Sequence, residues 1–469
     1  MKRSKSLLAL VLASTMVASF AGCGQANTSS AASAAPASSE AASSAAASSE
    51  AAKQGGELYY LNFKPEIADV YKKIGDEWKA ETGNTLKVVT AASGTYEQAL
   101  TSELAKSDAP VLFQTNGPKG YARWKDYCSD LKDTELYKHL SNKSMALTDG
   151  DAVVGIPYVE EGYGIIYNNA IMTKYFSLSG AKAKSMDEIN NFAKWKEVVE
   201  DMTAKKGQLG IKGVFASTSL KKGEEWRWQS HLSNIPFYYE FKDNNIDLKS
   251  NATNEIKFQY SDNFRNVFDL YLKNSTTNPK QLGSKSVDDS MAEFALGQCA
   301  MVQNGNWAWS QISGVKGNAV KEADVKFMPI YTGMKGEEKQ SIAIGTENFF
   351  CINKKAPADK QKLAADFIYW LYSSDKGKAF VTNDLKFIAP FDTFKDNEKP
   401  TDPLAKEVLR YMSDSNLTNV PWNFTVYPDQ KFKDDFGAAL LQYAQGTKSW
   451  DDVKKFVVDD WKTEAAKQK

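Results

Sequence analysis

Histidine, net charge and phosphate-binding loops are all scarce or missing in this sequence of 469 residues. The two histidines, His139 and His231, lie far apart and outside any cysteine cluster, so the sequence predicts no metal site and no cofactor. Lysine plus arginine equals aspartate plus glutamate at 58 each, which leaves no strongly basic surface for nucleic acid. No glycine-rich loop follows a predicted strand, so nucleotide binding is not supported either.

Cysteine is also rare, with four in the chain. Cys23 lies near the amino terminus, which leaves Cys128, Cys299 and Cys351, an odd number that allows at most one internal disulfide. Cys299 and Cys351 lie within apolar, strand-like runs, where cysteine commonly packs as a small hydrophobic residue. We therefore expect free thiols, with a single bridge as the alternative.

The amino terminus has the pattern of a targeting segment. A positively charged start precedes an apolar run from Leu7 to Val17, and small residues then lead to Cys23. This pattern resembles a bacterial lipoprotein signal, which implies cleavage before Cys23 and acyl chains such as palmitate on that cysteine. A plain secretory signal is the alternative. Residues 24–54 are mostly alanine and serine, so we expect a flexible tether.

From Glu57 onward the sequence alternates between strand-like and helix-like segments. Apolar and aromatic residues predict strands at residues 57–63, 86–90 and 111–115, and helical spacing of apolar residues predicts helices at residues 65–82 and 96–104. Strands that alternate with helices of this length predict an α/β fold with parallel strand pairing. The length of the chain exceeds one ordinary domain and predicts two lobes.

Residues 290–309 contain the feature that points most directly to a ligand. Apolar residues at helical spacing predict a helix that ends at Gly297, and residues 299–302 predict a buried strand. Residues 303–306 have the composition of a turn, and Trp307 and Trp309 follow. Because open α/β sheets hold ligands at the carboxyl ends of strands, we predict that Trp307 contacts a ligand and Trp309 packs in the core. The alternative is that both are core residues.

Several short motifs occur in an order and spacing that are typical of one family. They are GIPY at residues 155–158, GIIYN at 164–168, FALGQCAM at 294–301, NGNWAW at 304–309, AADFIYW at 364–370 and GTKSWDDV at 446–453. Together they resemble the family 1 extracellular solute-binding proteins, the sugar-binding lipoproteins of ATP-driven importers. The resemblance covers about residues 57–461.

This resemblance implies a two-lobed periplasmic-binding-protein-like fold of type II, with a ligand cleft between lobes joined by hinge crossovers. Residues 1–22 are then the signal peptide, and residues 23–56 are the lipidated cysteine and tether. The first lobe comprises residues 57–157 and 331–387. The second lobe comprises residues 158–330 and 388–469.

The resemblance also implies which residues bind the ligand. Glu161 matches a carboxylate that hydrogen-bonds sugar hydroxyls, Trp307 matches a tryptophan that stacks on a pyranose ring, and Trp228 matches a tryptophan close to the cleft. Trp226 and Trp228 alternate, so one is expected to face the sugar while the other packs. Polar residues of loops after strands complete the predicted site: Asn62, Gln114, Asn116, Asn306, Glu347 and Asn348.

These residues predict an oligosaccharide ligand. A pyranose ring has an apolar face and a rim of hydroxyls, so aromatic planes combined with carboxylates and amides are complementary to it. We expect a monomeric, outward-facing binding component of an ABC importer, held to the membrane by its lipid anchor. It would deliver a neutral sugar to the permease subunits and would not be an enzyme.

Three alternatives stay open. In the first, the cleft binds another solute, such as a polyamine or a metal complex. In the second, the protein is an extracellular sensor without a transport role. The third alternative is a secreted glycosidase, suggested by the adjacent carboxylates of Glu160 and Glu161. Consecutive residues of an extended segment point to opposite faces, whereas glycosidase carboxylates face each other, and this disfavours the third alternative.

Overall fold

The computed structural model describes residues 55–91, 93–246 and 253–467. The predicted signal segment, Cys23 and the tether up to residue 54 lie outside these residues, so what the sequence predicts for them stays a prediction. Among the helices that are described, none has both the length and the apolar character needed to cross a bilayer.

The strands of the described residues form two separate sheets. In chain order the strands are β1 (Glu57–Asn62), β2 (Thr85–Thr90), β3 (Leu112–Asn116), β4 (Leu147–Asp149), β5 (Ala152–Pro157), β6 (Glu161–Asn168), β7 (Met301–Gly305), β8 (Val325–Met328), β9 (Ala343–Gly345) and β10 (Asn348–Ile352).

The larger sheet has six strands in the order β2-β1-β3-β10-β5-β4. Strand β1 is parallel to both of its neighbours, β2 and β3, which confirms the parallel pairing predicted for the first three strands. Strand β10 is antiparallel to β3 and β5, so it returns to this sheet from a distant part of the sequence. The first strands therefore end at a common edge.

The smaller sheet is built around β6, whose eight residues are all buried. Strand β7 pairs with one side of β6, while β8 and β9 pair with successive parts of the other side, all antiparallel. The backbone approaches closely at Gly164, where a Cβ atom would lie 2.5 Å from the carbonyl oxygen of Met328. Glycine is therefore required at this point of the sheet.

Helices pack against both sheets and contribute a large part of the apolar core. They are α1 (Ala68–Thr82), α2 (Ser93–Leu104), α3 (Gly117–Trp124), α4 (Glu135–Lys138), α5 (Asn169–Phe176), α6 (Phe192–Ala204), α7 (Lys206–Leu209), α8 (Ser233–Asp243), α9 (Ser261–Asn274), α10 (Val287–Ala295), α11 (Ala308–Ser313), α12 (Ala358–Ser373), α13 (Asp375–Ala379), α14 (Pro403–Ser413), α15 (Gln430–Ala444) and α16 (Trp450–Ala466). A π-helical turn, Arg227–Leu232, leads directly into α8.

The segment with the two tryptophans folds nearly as predicted. A capping box of Ser286 and Asp289 starts α10, and Gly297 follows it with a φ of +67°. The predicted turn at residues 303–306 is wrong, because residues 303–305 continue β7 by pairing with residues 163–165 of β6. The chain turns only at Asn306 and Trp307, where α11 begins.

The strand pairing bears on where the two lobes divide. The sequence assigned residues 331–387 to the first lobe, and this assignment stays a prediction. Within that range Ala343–Gly345 pair with β6 of the smaller sheet, and Ile342 packs in a core cluster with the β6 residue Ile166. The chain passes from the smaller sheet to the larger one between β9 and β10.

The three cysteines of the folded body are buried and free. Cys299 packs in a core cluster below β7, whereas Cys128 and Cys351 belong to another cluster beside β3. This agrees with the expectation of free thiols.

Candidate functional site

A cavity that combines aromatic and polar side chains lies between the two sheets and has a volume of about 430 Å³. The residues that follow β1 form one wall, and they include Lys64 and Glu66. The opposite wall consists of residues 223–231, the start of α10 and Trp307. Because the two walls come from different sheets, a change in the angle between the sheets would open or close this cavity.

An ion pair between Lys64 and Glu161 joins the two walls. The Lys64 ammonium donates to both carboxylate oxygens of Glu161, at 2.8 and 3.0 Å, and Glu66 lies 3.6 Å away. Burial alone would lower the pKa of Lys64, but the carboxylates of Glu161 and Glu66 outweigh this effect and hold its pKa above the ordinary value. Glu161 was predicted from the sequence, whereas Lys64 was not, although a cation directly after the first strand is a recognisable signal.

Aromatic rings form the apolar part of the cavity. Trp307 is partly exposed, and its ring centroid lies 6.0 Å from that of Trp226 and 5.6 Å from that of His231. The Trp307 ring also covers Gly305 so closely that a Cβ atom there would lie 2.1 Å from a ring carbon. Gly305 therefore lets the Trp307 ring lie flat against the end of β7.

His231 is a cavity residue that the sequence did not single out. Its ring stacks on Tyr163 at 4.3 Å and lines the cavity beside Trp226 and Trp307. Burial, together with the nearby charges of Arg227, Lys433 and Lys64, lowers the pKa of His231 well below its usual value, so the ring is neutral. Within the described residues its Nδ1 atom has no hydrogen-bond partner.

Gln229 also lines the cavity and contains a second polar atom without a partner. Its side chain is buried, and its Oε1 atom has no hydrogen-bond partner among the described residues. A buried polar atom without a partner costs free energy, about 1–3 kcal/mol. The wall of this cavity therefore includes two polar side chains, Gln229 and His231, that each keep one atom unpaired.

The chain matches the sequence profile of bacterial extracellular solute-binding proteins over residues 73–407, which is well over half of its length. The chain belongs to this family. No curated protein sequence is significantly similar to the chain. The family confirms the resemblance found in the sequence motifs, and it is a family of extracellular binding proteins rather than of enzymes.

Solved structures share the fold of this solute-binding protein at low sequence identity. One is described as a chitin oligosaccharide binding protein, with a TM-score of 0.67 and 16% identity over 88% of this chain and 100% of that chain. SBP RafE in complex with raffinose has a TM-score of 0.64 and 17% identity, over 87% and 99% of the two chains. Maltose-bound T. maritima MalE3 has a TM-score of 0.65 and 15% identity, over 87% and 100%. The predicted two-lobed fold of the type II periplasmic binding proteins is therefore confirmed.

Trp228 of this solute-binding protein does not face the cavity, which corrects the role expected for it. The side chain is 1% exposed, and its ring packs edge-on against Phe268 and Tyr271 at 5.2 and 4.8 Å. Its indole N–H donates to the carbonyl of Thr218. Of the two alternating tryptophans, Trp226 faces the cavity and Trp228 packs in the core.

Three of the predicted polar residues hold the cavity walls in place and do not line them. Asn62 donates to the carbonyl of Lys64 at 2.8 Å, and Gln114 accepts from the backbone N–H of Phe63 at 2.6 Å. Asn306 accepts from the backbone N–H of Gly162 at 3.0 Å. These bonds fix the turn that carries Lys64 and the position of Trp307 relative to the start of β6.

The remaining predicted residues lie near the larger sheet. The Asn116 side-chain amide donates to Glu347 at 2.5 Å, and Glu347 lines the cavity. Asn348 is buried at the start of β10, where it pairs with Asn116 across the sheet, and it does not line the cavity. Its Oδ1 atom has no hydrogen-bond partner among the described residues.

The described residues contain no group of three or more histidine, cysteine, aspartate or glutamate side chains that could hold a metal ion.

Proposed function

We propose that this protein is the sugar-binding component of an ABC importer, which captures an oligosaccharide between its lobes and delivers it to the permease. The observation that carries this proposal is that Trp307 and Trp226 line one cavity together with the polar side chains of Glu161, His231 and Gln229. An aromatic plane matches the apolar face of a pyranose ring, and polar side chains match its hydroxyl rim.

Two further features support a sugar ligand. The solved structures of the same fold include proteins described as binding chitin oligosaccharide, raffinose and maltose. The charges at the centre of the cavity are paired in the Lys64–Glu161 ion pair, which suits a neutral ring at this point. We therefore place one neutral pyranose ring on Trp307, with its hydroxyls directed towards Glu161, His231 and Gln229.

The proposed mode of capture is closure of one lobe onto the other. We assign the larger sheet to the first lobe and the smaller sheet to the second, with a crossover between β9 and β10. In this arrangement the Lys64–Glu161 ion pair is made in the closed form and broken in the open form. The closed, ligand-bound form is the one that we expect the permease to recognise, with the binding protein acting as a monomer.

The membrane anchor remains part of the proposal on sequence grounds. Cys23 follows a segment with the pattern of a lipoprotein signal. Metabolic labelling with radioactive palmitate should label the wild-type protein and fail to label a Cys23→Ser variant. An unlabelled wild type would contradict the anchor without affecting the sugar site.

A ligand panel tests the proposed function. We expect purified protein to show raised thermal stability with at least one series among gluco-, galacto- and xylo-oligosaccharides, since a ligand that binds only the folded state stabilises it. Spermidine and ferric complexes serve as controls for the alternative solutes, and an aryl glycoside reports any hydrolysis. Stabilisation by a control solute in the absence of any effect of sugars would contradict the proposal, and so would turnover of the glycoside.

A further inference from the structure

A second cavity, of about 480 Å³, continues the cleft beyond the Trp307 site. Phe63, Gln430 and Lys433 line both cavities and so form the junction between them. The second cavity also contains aromatic side chains, including Tyr96 and Phe424. A ligand longer than one sugar ring that is seated on Trp307 can therefore pass Lys433 and enter the second cavity.

Lys433 is a buried cation at this junction. It lies in the first turn of α15, and only 9% of its surface is exposed. No carboxylate lies within 4 Å of its ammonium group in the described part of the chain, where its nearest aromatic contact is Phe424, with the ring centroid 6.0 Å away. Burial lowers the pKa of Lys433, while the more distant carboxylates of Glu347 and Glu97 oppose this effect.

The carboxylates that line the second cavity are engaged elsewhere. Glu97 accepts from the indole N–H of Trp124 at 3.0 Å and lies 3.6 Å from Arg123. Asp429 caps α15 by accepting from the backbone N–H of Phe432 at 2.8 Å. Both carboxylates act on Lys433 only at longer range, and neither forms an ion pair with it within 4 Å. A buried charge without a direct partner is costly.

The balance of charge differs between the two cavities. Five acidic side chains and two lysines line the first cavity. The second is lined by three lysines and one arginine, against the two carboxylates Glu97 and Asp429. Of the other cations in the second cavity, Lys467 pairs with Glu464 at 2.6 Å and Arg123 lies 3.6 Å from Glu97. An acidic group on a ligand that spans the cleft would therefore be matched by Lys433 at the junction.

We infer that the second cavity binds an acidic sugar residue, a uronic acid, whose carboxylate pairs with the ammonium group of Lys433. This inference rests on the proposed function, because it concerns the same cleft and the same ligand. The sequence predicted a neutral ligand, and the inference changes that expectation. The sugar ring on Trp307 is neutral, and the sugar unit beyond Lys433 carries the carboxylate. The carboxylate supplies the partner that the protein itself does not give to Lys433.

Calorimetry with matched ligands tests the inference. We would compare oligosaccharides of equal length and backbone that differ in one uronic acid residue, in the series that the ligand panel identifies. We expect the acidic member to bind at least tenfold more tightly at low salt, with a preference that shrinks as the salt concentration rises. Sulfated oligosaccharides of the same length form a further arm, and preference for sulfate over carboxylate would overturn the assignment to a uronic acid.

Variants of Lys433 test whether this residue causes the preference for the acidic oligosaccharide. In Lys433→Met the ratio of the two affinities should fall to about one, whereas Lys433→Arg should keep the preference. Lys431→Met is the matched control, because Lys431 lies on the same helix but is exposed and pairs with Asp435. Equal affinities in the wild type would overturn the inference and leave the proposed function intact, as would an unchanged ratio in Lys433→Met. Failure of every oligosaccharide to bind would instead contradict the proposed function.

Discussion

Lys64 and Glu161 form a buried ion pair that connects the end of β1 in the larger sheet to the start of β6 in the smaller one. The two side chains are only 7% and 4% exposed, and both oxygens of the carboxylate accept from the one ammonium group. A charge pair in such a position stabilises one arrangement of the two sheets relative to each other, because each partner is costly when it is buried alone.

Breaking this pair should destabilise the protein. We expect Lys64→Met and Glu161→Gln to lower the free energy of unfolding, with the loss for Lys64→Met about 3–5 kcal/mol because it leaves a buried carboxylate unpaired. The double variant should recover part of that loss, and denaturant titration of all four proteins gives the coupling energy. The exposed Lys72–Asp69 pair is the control and should show no measurable coupling. Additive effects of the two changes would show that the pair does not join the sheets energetically.

The contact between Gly305 and Trp307 can be tested without changing the tryptophan. A Cβ atom at Gly305 would displace the Trp307 ring, so Gly305→Ala should weaken sugar binding about as much as Trp307→Ala does, at least tenfold, or ~1.4 kcal/mol. Gly207→Ala is the matched control, since a Cβ atom there meets no other atom within 4 Å. Calorimetry with the ligand found in the panel provides the measurement. Unchanged affinity in Trp307→Ala would remove this residue from the site.

Alanine variants of Trp226 and Trp228 should have different effects, one on sugar affinity and the other on stability. Trp228 lies in the core, so Trp228→Ala should lower the free energy of unfolding by about 3–5 kcal/mol, while the fraction that remains folded binds sugar nearly normally. Trp226 lines the cavity, so Trp226→Ala should weaken binding and change stability little. Denaturant titration and calorimetry on both variants would show the reverse pattern if the assignment of the two rings were wrong.

The neutral state of His231 predicts a pH dependence of stability. Because its pKa in the folded protein lies below the ordinary value of 6.5, the stabilising contribution is present above about pH 6.5 and is lost as the pH falls and the unfolded chain takes up a proton. Between pH 7.5 and 5.5 this loss amounts to about 1.4 kcal/mol for one proton.

Chemical denaturation of the wild type and of His231→Gln at both pH values measures the contribution of His231 to the pH dependence of stability. The difference in unfolding free energy between the two proteins should change by about that amount, because the other titrating groups are common to both. A constant difference would mean that His231 has the same pKa in the folded protein as in the unfolded chain.

Several parts of the fold could be predicted because their signals are local. The helix predicted at residues 65–82 ends where the sequence places its end, with Gly83 as its cap, since caps depend on residues only a few positions apart. The extent of β7 could not be predicted, because its polar residues 303–305 have the composition of a turn and become a strand only through pairing with β6. The pairing of β9 with β6 could not be predicted for the same reason.

In the candidate site, too, some residues could be identified from the sequence and others only from contacts between distant segments. The family resemblance led to Glu161 and Trp307, which line the cavity, and to Trp228, which does not. The alternation of Trp226 with Trp228 added Trp226, which lines it. Lys64 and His231 were missed because each acquires its role from residues about 70 to 100 positions away, namely Glu161 for Lys64 and Tyr163 for His231. Asn62 and Gln114 were placed near the right loop, but their hydrogen bonds go to backbone groups of that loop.

The sequence by itself determined the family, the alternation of strands and helices, the near-neutral charge and the position of Trp307 at the end of a strand, because these depend on composition and on short-range order. The tertiary structure decided which charges are paired and which are left alone. Glu161 is neutralised by Lys64, whereas Lys433 is buried without a carboxylate within 4 Å among the described residues. Electrostatic partners are set by distances between chain segments that only the folded backbone brings together, and for this reason the charge on the ligand could be inferred only from the structure.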